Sequence, residues 1–473
     1  MTTNTPICVD LDGTLTRSDL LVESLLALIK SKPSYLLLIP FWLLRGKAAL
    51  KYEIAKRIEL NHASSPYRLE LIHWLKRARE QGHPLYLCTA SSQKLAQGVA
   101  DYLGFFDGVF ASDERTNLSG QRKAARLVET FGERGFDYCG NHPVDLAIWR
   151  HSRHAIPVGC GRRLVEQAGK AAPISAAFPE RTAWPALLAR ACRLHQWAKN
   201  ALVFLPLLAA HRLFDVNSSI QAMLAFIAFG LCASSVYLLN DMLDLEADRA
   251  HPRKSHRPFA SGKLPLTAGL AFAPALLLAA CALALALPWR FGVALSGYYA
   301  LTLAYSLILK RLVLIDTLAL AGLYTVRIVA GAKAIGVPLS FWMLLFSVFL
   351  FLSLAIVKRY GELEGMRRAG KLEAAGRGYT VNDLPVLQGL GTAAGYLSVL
   401  VLALYINSPD ITVLYRQPKA IWGLCVVVLY WISRVWMKTH RGEMHDDPVV
   451  FALHDRQSLG MAVVAILLVG LAA

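Results

Sequence analysis

Three aspartates with helical spacing stand beside a run of basic residues in the middle of the chain. The segment NDMLDLEADRAHPRKSHRP, residues 240–258, places Asp241, Asp244 and Asp248 at positions i, i+3 and i+7. If the preceding helix continues through them, the three carboxylates share one helix face. Like charges on one face repel each other unless cations lie between them, and Mg²⁺ is commonly shared between carboxylates and substrate phosphates. We therefore predict that these aspartates are catalytic and bind Mg²⁺.

The basic and amide side chains around these aspartates are predicted to bind a phosphorylated substrate. Arginine holds phosphate oxygens with a planar fork, whereas lysine acts as a point charge. A solvated, salt-bridged loop is the alternative for such a charge run, but ionisable residues at membrane depth usually mark a substrate site. The substrate-binding residues predicted in this segment are Asn240, Arg253, Lys254 and Arg257.

Two more groups of polar residues stand at the ends of apolar runs and are predicted to contact substrate. The first lies in QWAKN, just before an apolar run, and the second directly follows the run that ends at Val357. Their basic members suit phosphate groups. The predicted residues are Gln196, Lys199, Asn200, Lys358, Arg359 and Tyr360.

Other charges in the same loops have two interpretations. Arg367, Arg368 and Lys371 are explained equally well by a substrate site and by the positive charge of cytoplasmic loops. In HDDPVVFALHDRQS, residues 445–458, a substrate contact and the capping of the final helix are equally open. The charged residues of that segment are Asp446, Asp447, Asp455 and Arg456.

Near the N-terminus, an apolar stretch predicted to be a β-strand ends in two carboxylates. This stretch is ICVDLDGTLTRSD, residues 7–19, and the carboxylates belong to Asp10 and Asp12. Two carboxylates on a turn after a strand can divide the roles of nucleophile and of general acid and base, while the first also binds Mg²⁺. An acidic turn without chemistry is the alternative.

The composition indicates that these residues belong to a membrane protein with a soluble part. The chain has 473 residues and is 55% hydrophobic, with a mean hydropathy of +0.40, yet about the first 180 residues read as a mixed, soluble sequence. The net charge is +17. Because no basic stripe interleaved with aromatic residues is present, we expect no nucleic-acid partner and assign the excess charge to cytoplasmic loops.

Apolar runs after residue 190 predict a C-terminal, all-α integral membrane bundle of about nine transmembrane helices. The loops richest in Lys and Arg fall on the same side as the N-terminal part. This pattern predicts a multi-pass protein of the inner (cytoplasmic) membrane with its N-terminal part in the cytoplasm. The predicted spans are 199–212, 219–240, 266–287, 291–309, 312–332, 338–358, 386–407, 419–438 and 459–473.

The acidic motif and its surroundings resemble a known enzyme family. NDMLDLEAD resembles the NDxxDxxxD signature of the UbiA prenyltransferase superfamily, and the resemblance covers about residues 190–473. The segments 192–208 and 351–363 look like the decaprenyl-phosphate phosphoribosyltransferase branch of that superfamily. This resemblance implies a UbiA-like fold and transfer of phosphoribose from phosphoribosyl diphosphate to polyprenyl phosphate, a lipid substrate.

The N-terminal DLDGT turn resembles the DxDGT motif of the haloacid dehalogenase (HAD) superfamily. In that superfamily the first Asp attacks phosphorus and the second is the acid and base. The resemblance implies an α/β Rossmann-like phosphatase domain in which Thr89 binds phosphate, Lys123 offsets the charge of the phosphoaspartyl group and Asp145 binds Mg²⁺. The metal ligands expected here are Asp10, Asp12 and Asp145.

These resemblances suggest three domains. We expect a HAD-like phosphatase domain at 1–164 with a helical cap at about 17–84, a linker at 165–188, and a UbiA-like transferase domain at 189–473. In the cap, the run 34–57 is unusually apolar. It is expected either to pack as a buried cap helix or to lie on the membrane face.

Together the motifs predict a bifunctional enzyme that transfers phosphoribose and then removes its 5-phosphate, giving a polyprenyl-phosphoribose donor for envelope glycans. A phosphatase tethered near this product would meet it at a high effective concentration. One alternative is an aromatic prenyltransferase, favoured only if residues 358–379 build a second metal site. Another is a regulatory HAD-like domain, which Asn141 leaves open because many members of that superfamily carry Asp there.

Overall fold

A computed structural model describes residues 5–180, 183–370, 378–408, 415, 417–444 and 447–472. By packing, the chain divides into two units, residues 1–192 with 237–273 and residues 193–236 with 274–473. The acidic segment 240–258 therefore packs in the same unit as the N-terminal α/β part. The domain boundaries expected from the sequence remain predictions.

The N-terminal part is built on a parallel sheet. Its strands are β1 (Ile7–Val9), β2 (Leu85–Ser92), β3 (Gly108–Ser112), β4 (Asp137–Gly140) and β5 (Ala155–Pro157). The strand order is β3-β2-β1-β4-β5, and in the register Ile7 lies between Leu85 and Asp137. All three residues of β1 are buried and apolar, as expected for a central parallel strand. Because the order reverses at β1, the carboxyl ends of β1, β2 and β4 border a crevice suited to a ligand.

Helices connect these strands, and four of them lie between β1 and β2, in the segment predicted to be the helical cap. The first begins after Asp19, whose side chain accepts hydrogen bonds from the backbone N–H groups of Leu21 and Val22 at 2.9 and 3.1 Å, a strong N-terminal cap. The helices are α1 (Leu20–Ser31), α2 (Ile39–Leu44), α3 (Lys47–Arg57), α4 (Leu69–Glu80), α5 (Gln93–Leu103), α6 (Gln121–Phe131), α7 (Leu146–Trp149), α8 (Arg162–Ala171) and α9 (Trp184–Ala191).

The apolar run of the cap divides into a buried part and an exposed part. Trp42 is 7% exposed, whereas Leu37 and Leu44 are 75% and 86% exposed. In α3, Ile54 is fully buried. The run is therefore not a single buried cap helix, because residues around α2 present large apolar side chains outward.

From residue 194 onward the regular structure is helical among the described residues. A 3₁₀ helix, Leu194–Phe204, opens this part. The α-helices that follow are α10 (Leu205–Ala209), α11 (Val216–Leu243), α12 (Leu245–Ala250), α13 (Leu266–Leu285), α14 (Trp289–Leu307), α15 (Ile315–Ala334), α16 (Phe341–Arg368), α17 (Leu384–Ile406), α18 (Trp422–His440), α19 (Pro448–His454) and α20 (Arg456–Ala472).

Several of these helices can cross a membrane. In the part of the chain that the structure describes, five are long and apolar enough, and α19 with α20, which meet at a bend of 81°, would make a sixth. The chain is thus a multi-pass membrane protein, but the predicted number of nine spans is not confirmed. The expected first span, 199–212, lies on the 3₁₀ helix and the five-residue α10. Helices α14 and α18 match two predicted spans in position but are less apolar.

Candidate functional site

The first group of candidate residues lies at the carboxyl end of β1. Asp10 follows the strand, and its Oδ1 accepts a hydrogen bond from the Nζ of Lys123 at 2.7 Å, while the Oγ1 of Thr14 donates to its Oδ2 at 3.3 Å. Lys123 is buried and also donates to the carbonyl oxygen of Cys88 at 3.0 Å. Burial alone would lower the pKa of Lys123, but the charges of Asp10 and Asp145 raise it above its ordinary value. The ammonium group is therefore charged and can offset negative charge at Asp10.

Asp12 lies on the same turn, and hydrogen bonds fix both of its carboxyl oxygens. Its Oδ1 accepts from the backbone N–H of Leu20 at 2.8 Å, and its Oδ2 accepts from the Oγ of Ser91 at 2.6 Å. Burial and the charge of Asp19 raise the pKa of Asp12 to about 7. A carboxyl group with a pKa near neutrality suits proton transfer. Metal binding by Asp12 remains a prediction.

Asp145 belongs to the same site. Its Oδ2 accepts hydrogen bonds from the backbone N–H groups of Asn141 and His142 at 3.0 and 2.9 Å, and the hydroxyl of Tyr138 donates to its Oδ1 at 3.3 Å. Burial and the charge of Asp10 raise the pKa of Asp145 to about 6. The carboxylates of Asp10 and Asp145 thus lie close enough to repel each other.

A divalent cation would fit this site because it would relieve that repulsion. Asp10 and Asp145 are the residues that could hold it, together with Asn141. Asn141 packs on the turn: a Cβ at Gly13, which has a φ of +75°, would lie 2.1 Å from the Nδ2 of Asn141. Among the described residues, no three His, Cys, Asp or Glu side chains form a metal-binding group by themselves. Other oxygen ligands would have to complete the coordination.

Three more residues complete the surroundings of this site, and two of them were not predicted. Thr89, which was predicted, is buried in β2, and its Oγ1 accepts from the backbone N–H of Ser91 at 3.0 Å. Ser91 follows two residues later, in the part of β2 where the pairing with β3 shifts register between Cys88 and Ser92, and no spacing in the sequence marks it. Lys51 of α3 donates to the carbonyl oxygen of Ala90 at 2.6 Å and to the Oδ1 of Asn117 at 2.9 Å. No motif in the sequence marks this contribution of the cap.

The acidic segment does not form one continuous helix. Helix α11 ends at Leu243, and Asp244 is the N-terminal cap residue of α12. The side chain of Arg257 lies between the other two aspartates, with its Nη1 3.0 Å from the Oδ1 of Asp241 and 2.6 Å from the Oδ2 of Asp248. Both carboxylates are only 4% exposed. These ion pairs match the salt-bridged alternative for this segment, and Mg²⁺ binding by the aspartates remains a prediction.

The cap of the α/β part contacts this segment. The Nζ of Lys30 in α1 lies 2.8 Å from the Oδ1 of Asp244. Arg249 forms an ion pair with Glu23 of α1, and the two side chains are 8% and 6% exposed. The remaining predicted residues of the segment differ in exposure: Arg253 is exposed, while Asn240 and Lys254 are half-buried.

A second group of candidate residues surrounds Asp447 in the other unit. The Nζ atoms of Lys199 and Lys358 lie 2.8 and 3.0 Å from the Oδ2 of Asp447. The hydroxyl of Tyr324 donates to Oδ1 at 3.0 Å. We call these four residues the lysine–aspartate cluster. Lys199 and Lys358 were predicted to bind substrate from two separate segments of the sequence. Asp447 had two possible roles, substrate contact and helix capping. In the structure it caps α19 and also contacts both lysines. Asp446 and Lys371 lie outside the described residues.

Asn200 lies beside this cluster and is held by an arginine that was not predicted. The Nε of Arg327 donates to the Oδ1 of Asn200 at 2.9 Å, and its Nη2 donates to the hydroxyl of Tyr298 at 3.1 Å. The Nδ2 of Asn200 is buried and has no hydrogen-bond partner in the described part of the chain. Such a donor can bind an incoming oxygen atom. Gln196 is half-buried in the 3₁₀ helix.

An apolar cavity of about 190 Å³ lies in the same unit. Its lining includes Leu202 and Val449, which neighbour Lys199 and Asp447 along the chain. Ser347 carries a hydroxyl group and Trp431 an indole N–H, which donates to the Oγ of Ser458 at 3.0 Å; the other lining side chains are apolar. A cavity of this kind suits a hydrocarbon chain. Its remaining lining residues are Leu205, Ile328, Met343, Phe346, Leu350, Phe351, Leu354 and Ala452.

Two residues predicted to bind substrate occupy other environments. The side chain of Arg359 is 1% exposed and pairs with the buried Asp316 at 2.6 Å and with Glu362. The hydroxyl of Tyr360 lies 2.9 Å from the Nδ1 of His440. Neither contact belongs to the lysine–aspartate cluster.

The start of segment 358–379 is helical rather than a loop, because α16 continues to Arg368. Its second glutamate, Glu364, pairs with Arg367 and Arg368 at 2.8 and 3.0 Å. Glu362 pairs with Arg359. In the described part of this segment, both glutamates are thus neutralised by arginine, which does not favour a second metal site.

Two family models match the chain. The model of the UbiA prenyltransferase family matches residues 201–456. The model of haloacid dehalogenase-like hydrolases matches residues 7–150. The first match contains the acidic segment and the lysine–aspartate cluster except Lys199, and the second contains Asp10, Asp12, Lys123 and Asp145.

Several curated proteins are similar to the chain. The "Uncharacterized protein y4nM" of Sinorhizobium fredii is 38% identical over 96% of this chain and 88% of its own length. "Nodulation protein NoeC" of Azorhizobium caulinodans is 38% identical over 57% of this chain and 87% of its own. A "Decaprenyl-phosphate phosphoribosyltransferase" of Mycolicibacterium smegmatis is 36% identical over 44% of this chain and 67% of its own.

Proposed function

Because the chain belongs to the UbiA prenyltransferase family and carries an N-terminal HAD-like domain, we propose that it is a bifunctional membrane enzyme. It transfers 5-phosphoribose from phosphoribosyl diphosphate to polyprenyl phosphate and then removes the 5-phosphate. The observation that carries this proposal is the convergence of Lys199 and Lys358 on one buried carboxylate, in the unit that also holds an apolar cavity. Cations near a hydrocarbon-sized cavity suit a lipid phosphate better than an uncharged aromatic acceptor.

The transfer step is a displacement at the anomeric carbon of the ribose. An oxygen of the lipid phosphate forms the new C–O bond, and the bond to the diphosphate breaks, so that the diphosphate leaves with the electron pair. The attacking oxygen is already ionised and needs no strong general base. We assign Lys199, Lys358 and the amide N–H of Asn200, which has no partner among the described residues, to the lipid phosphate. They would position this group and stabilise its negative charge.

The leaving diphosphate is assigned to the acidic segment. Asp241 and Asp248 would hold Mg²⁺, with Asp244 as the third predicted ligand, and the bound metal supplies charge neutralisation for the diphosphate. Arg257, which neutralises Asp241 and Asp248 in this structure, can also bind a diphosphate oxygen. The exposed Arg253 and the half-buried Lys254 are further candidates for this role.

The hydrolytic step is assigned to the HAD-like domain. An oxygen of Asp10 attacks phosphorus while Asp12 donates its proton to the ribose oxygen that leaves. Water then attacks the phosphoaspartyl group, and Asp12 takes up the proton released. The pKa of about 7 at Asp12 supports both transfers, because a group that titrates near neutrality can act in turn as acid and base. Lys123 offsets charge at Asp10, and Asp10 with Asp145 would hold the Mg²⁺ that neutralises the phosphate.

We further propose that the protein resides in the inner membrane with the HAD-like domain in the cytoplasm. This orientation follows from the distribution of Lys and Arg among the loops. The water-soluble substrate, phosphoribosyl diphosphate, is then available on the cytoplasmic side. The product, a polyprenyl-phosphoribose, would serve as a donor for cell-envelope glycans.

The decisive experiment is an assay in detergent with polyprenyl phosphate, phosphoribosyl diphosphate and Mg²⁺, in which lipid products are identified by mass. The native chain is expected to give ribosylated lipid without the 5-phosphate, and Asp10→Asn is expected to retain that phosphate. If neither chain gives ribosylated lipid, phosphoribose transfer is wrong, and aromatic acceptors with polyprenyl diphosphate become the next substrates to test.

A further inference from the structure

The outer surface of the cap carries an apolar patch. Six large side chains within nine positions are between 41% and 86% exposed. Elsewhere in the N-terminal part, exposed large apolar side chains stand singly, for example Leu69 and Tyr102. Contiguous exposed apolar surface marks an interaction site, whereas single exposed residues do not. We call the patch the α2 patch; its residues are Leu36, Leu37, Leu38, Phe41, Leu43 and Leu44.

The α2 patch is held outward by a buried anchor on its inner side. The rings of Trp42 and Tyr35 are 6.0 Å apart, and the guanidinium of Arg57 lies 4.8 Å from the Trp42 ring centroid. With Trp42 facing the core, Leu37 and Leu44 remain 75% and 86% exposed. The segment thus has one packed side and one apolar side that faces outward.

Two of the most exposed members of the patch lie on one face of α2. Phe41 and Leu44 are three residues apart on this helix, a spacing that places side chains on one helix face, and Leu37 ends the 3₁₀ helix that precedes α2. Phe41 is 65% exposed. A short helix with such a face can bury it without changing its own conformation.

Basic residues stand at both ends of the patch. Lys32 precedes it, and Arg45 and Lys47 follow it, all three exposed. Glu53 lies 3.8 Å from Arg45, a long contact that leaves most of that charge available. An apolar face bracketed by cations has the composition of segments that lie in the interface of a membrane with anionic lipids.

We infer that the α2 patch docks on the surface of the bilayer that the chain itself spans. Leu37, Phe41 and Leu44 enter the boundary between headgroups and acyl chains, and Lys32, Arg45 and Lys47 contact anionic headgroups. The partner is a lipid surface, which the apolar face and its flanking cations complement and which is always present beside a multi-pass protein. The cap of the HAD-like domain is thereby held where lipid-linked phosphates lie. This inference does not depend on which phosphate is hydrolysed.

Lipid contact can be measured in the full chain by photo-crosslinking. A benzophenone amino acid is placed at Leu37 or Leu44, and the protein is reconstituted in nanodiscs of phosphatidylcholine with or without phosphatidylglycerol. The matched control carries the same group at Leu69, which is 64% exposed on the same domain but stands alone. We expect several-fold more lipid adduct at positions 37 and 44 than at 69, and a further rise with phosphatidylglycerol. The triple variant Lys32→Gln, Arg45→Gln, Lys47→Gln should abolish that further rise.

Two outcomes would overturn the inference. Equal lipid adduct at positions 37, 44 and 69 would show that the patch does not contact the bilayer. Crosslinks to a second copy of the chain would show that another protein covers it. Hydrogen exchange of residues 33–47 in the unmodified chain gives an independent check, since docking predicts slower exchange in the anionic nanodiscs than in those of phosphatidylcholine alone. None of these measurements requires enzymatic activity.

Discussion

At the scale of single residues, Asn141 contributes no negative charge to the candidate metal site of the HAD-like domain. It stands where many members of that superfamily carry aspartate, and its backbone N–H donates to the Asp145 carboxylate at 3.0 Å. We expect Asn141→Asp to lower the Mg²⁺ concentration needed for half-maximal phosphatase activity roughly tenfold, equivalent to about 1.4 kcal/mol. The measurement is a Mg²⁺ titration of phosphate release.

The same substitution has an opposite effect without metal. A third carboxylate near Asp10 and Asp145 adds repulsion, so the variant should unfold at a lower temperature in EDTA and regain the loss in Mg²⁺. Asn141→Ala is the control, since it removes the amide without adding charge. If Asn141→Asp and native protein need the same Mg²⁺, Asn141 lies outside the metal site.

Lys358 provides a test of the lysine–aspartate cluster. We expect Lys358→Ala to reduce kcat/KM for polyprenyl phosphate about 10- to 100-fold, because one charge-assisted hydrogen bond contributes about 1.5–3 kcal/mol. The phosphatase activity on a soluble phosphate ester should be unchanged. Arg367→Ala is the matched control: that arginine also lies on α16 but is 54% exposed and pairs only with Glu364 among the contacts described. Equal losses of kcat/KM from both variants would mean that any loss of positive charge near the end of α16 lowers activity, whether or not it lies in the cluster.

The sequence predicted several residues of each candidate site but not all the side chains that contact them. Asp10, Lys123 and Asp145 were found because their motifs follow in order along the chain, and the structure brings them together. The sequence did not reveal Ser91, Lys51 and Arg327, because a single polar residue carries no spacing signal. Arg359 looked like a substrate residue from its position at a helix end, yet it is buried against Asp316, a pairing 43 positions away that no local pattern reveals.

At the scale of elements, α1 is tied to the acidic segment by a buried ion pair. Glu23 and Arg249 are almost fully buried, and an atom of each, Oε2 and Nη2, has no hydrogen-bond partner among the described residues. Removing one member of a buried pair leaves the other charge uncompensated, which costs about 3–5 kcal/mol. We therefore expect Glu23→Leu to lower the thermal unfolding temperature of the full chain and to speed hydrogen exchange in residues 240–258.

A double variant separates charge burial from packing in this prediction. Glu23→Leu with Arg249→Met should recover most of the lost stability, because two apolar side chains can replace a buried ion pair. Arg162→Ala, which breaks an exposed pair with Glu166 on α8, should change little. If Glu23→Leu behaves like Arg162→Ala, the ion pair does not hold α1 to the acidic segment.

The sequence predicted the boundaries of helices where an apolar run of neighbouring residues marked them. The apolar runs placed α11, α13, α15 and α17 close to their observed positions, whereas α16 continues to Arg368, ten residues beyond the predicted end at 358. The break at Asp244 was missed, because the i, i+3, i+7 spacing of the aspartates fits an unbroken helix as well. The first predicted span was wrong in type, since apolar content alone does not distinguish a membrane helix from a 3₁₀ helix.

At the scale of the whole molecule, the proposed fusion of two activities predicts a kinetic effect. A product released into dilute detergent solution must find another enzyme molecule, whereas a phosphatase on the same chain meets it at an effective concentration on the order of millimolar. A mixture of Asp10→Asn, expected to lack the proposed phosphatase activity, with Asp241→Asn, expected to lack the proposed transfer activity, should therefore show a lag. The 5-phosphorylated lipid should accumulate first and disappear later.

The native chain at the same total activity should show no such lag, and the comparison rests on a time course of lipid products by mass. Raising the concentration of the mixed variants should shorten their lag, because the second step is bimolecular for them and not for the native chain. Identical time courses for the mixture and the native protein, at enzyme concentrations far below millimolar, would mean that the product leaves before it is dephosphorylated. The fusion would then provide co-localisation in the membrane rather than transfer of the intermediate within one chain.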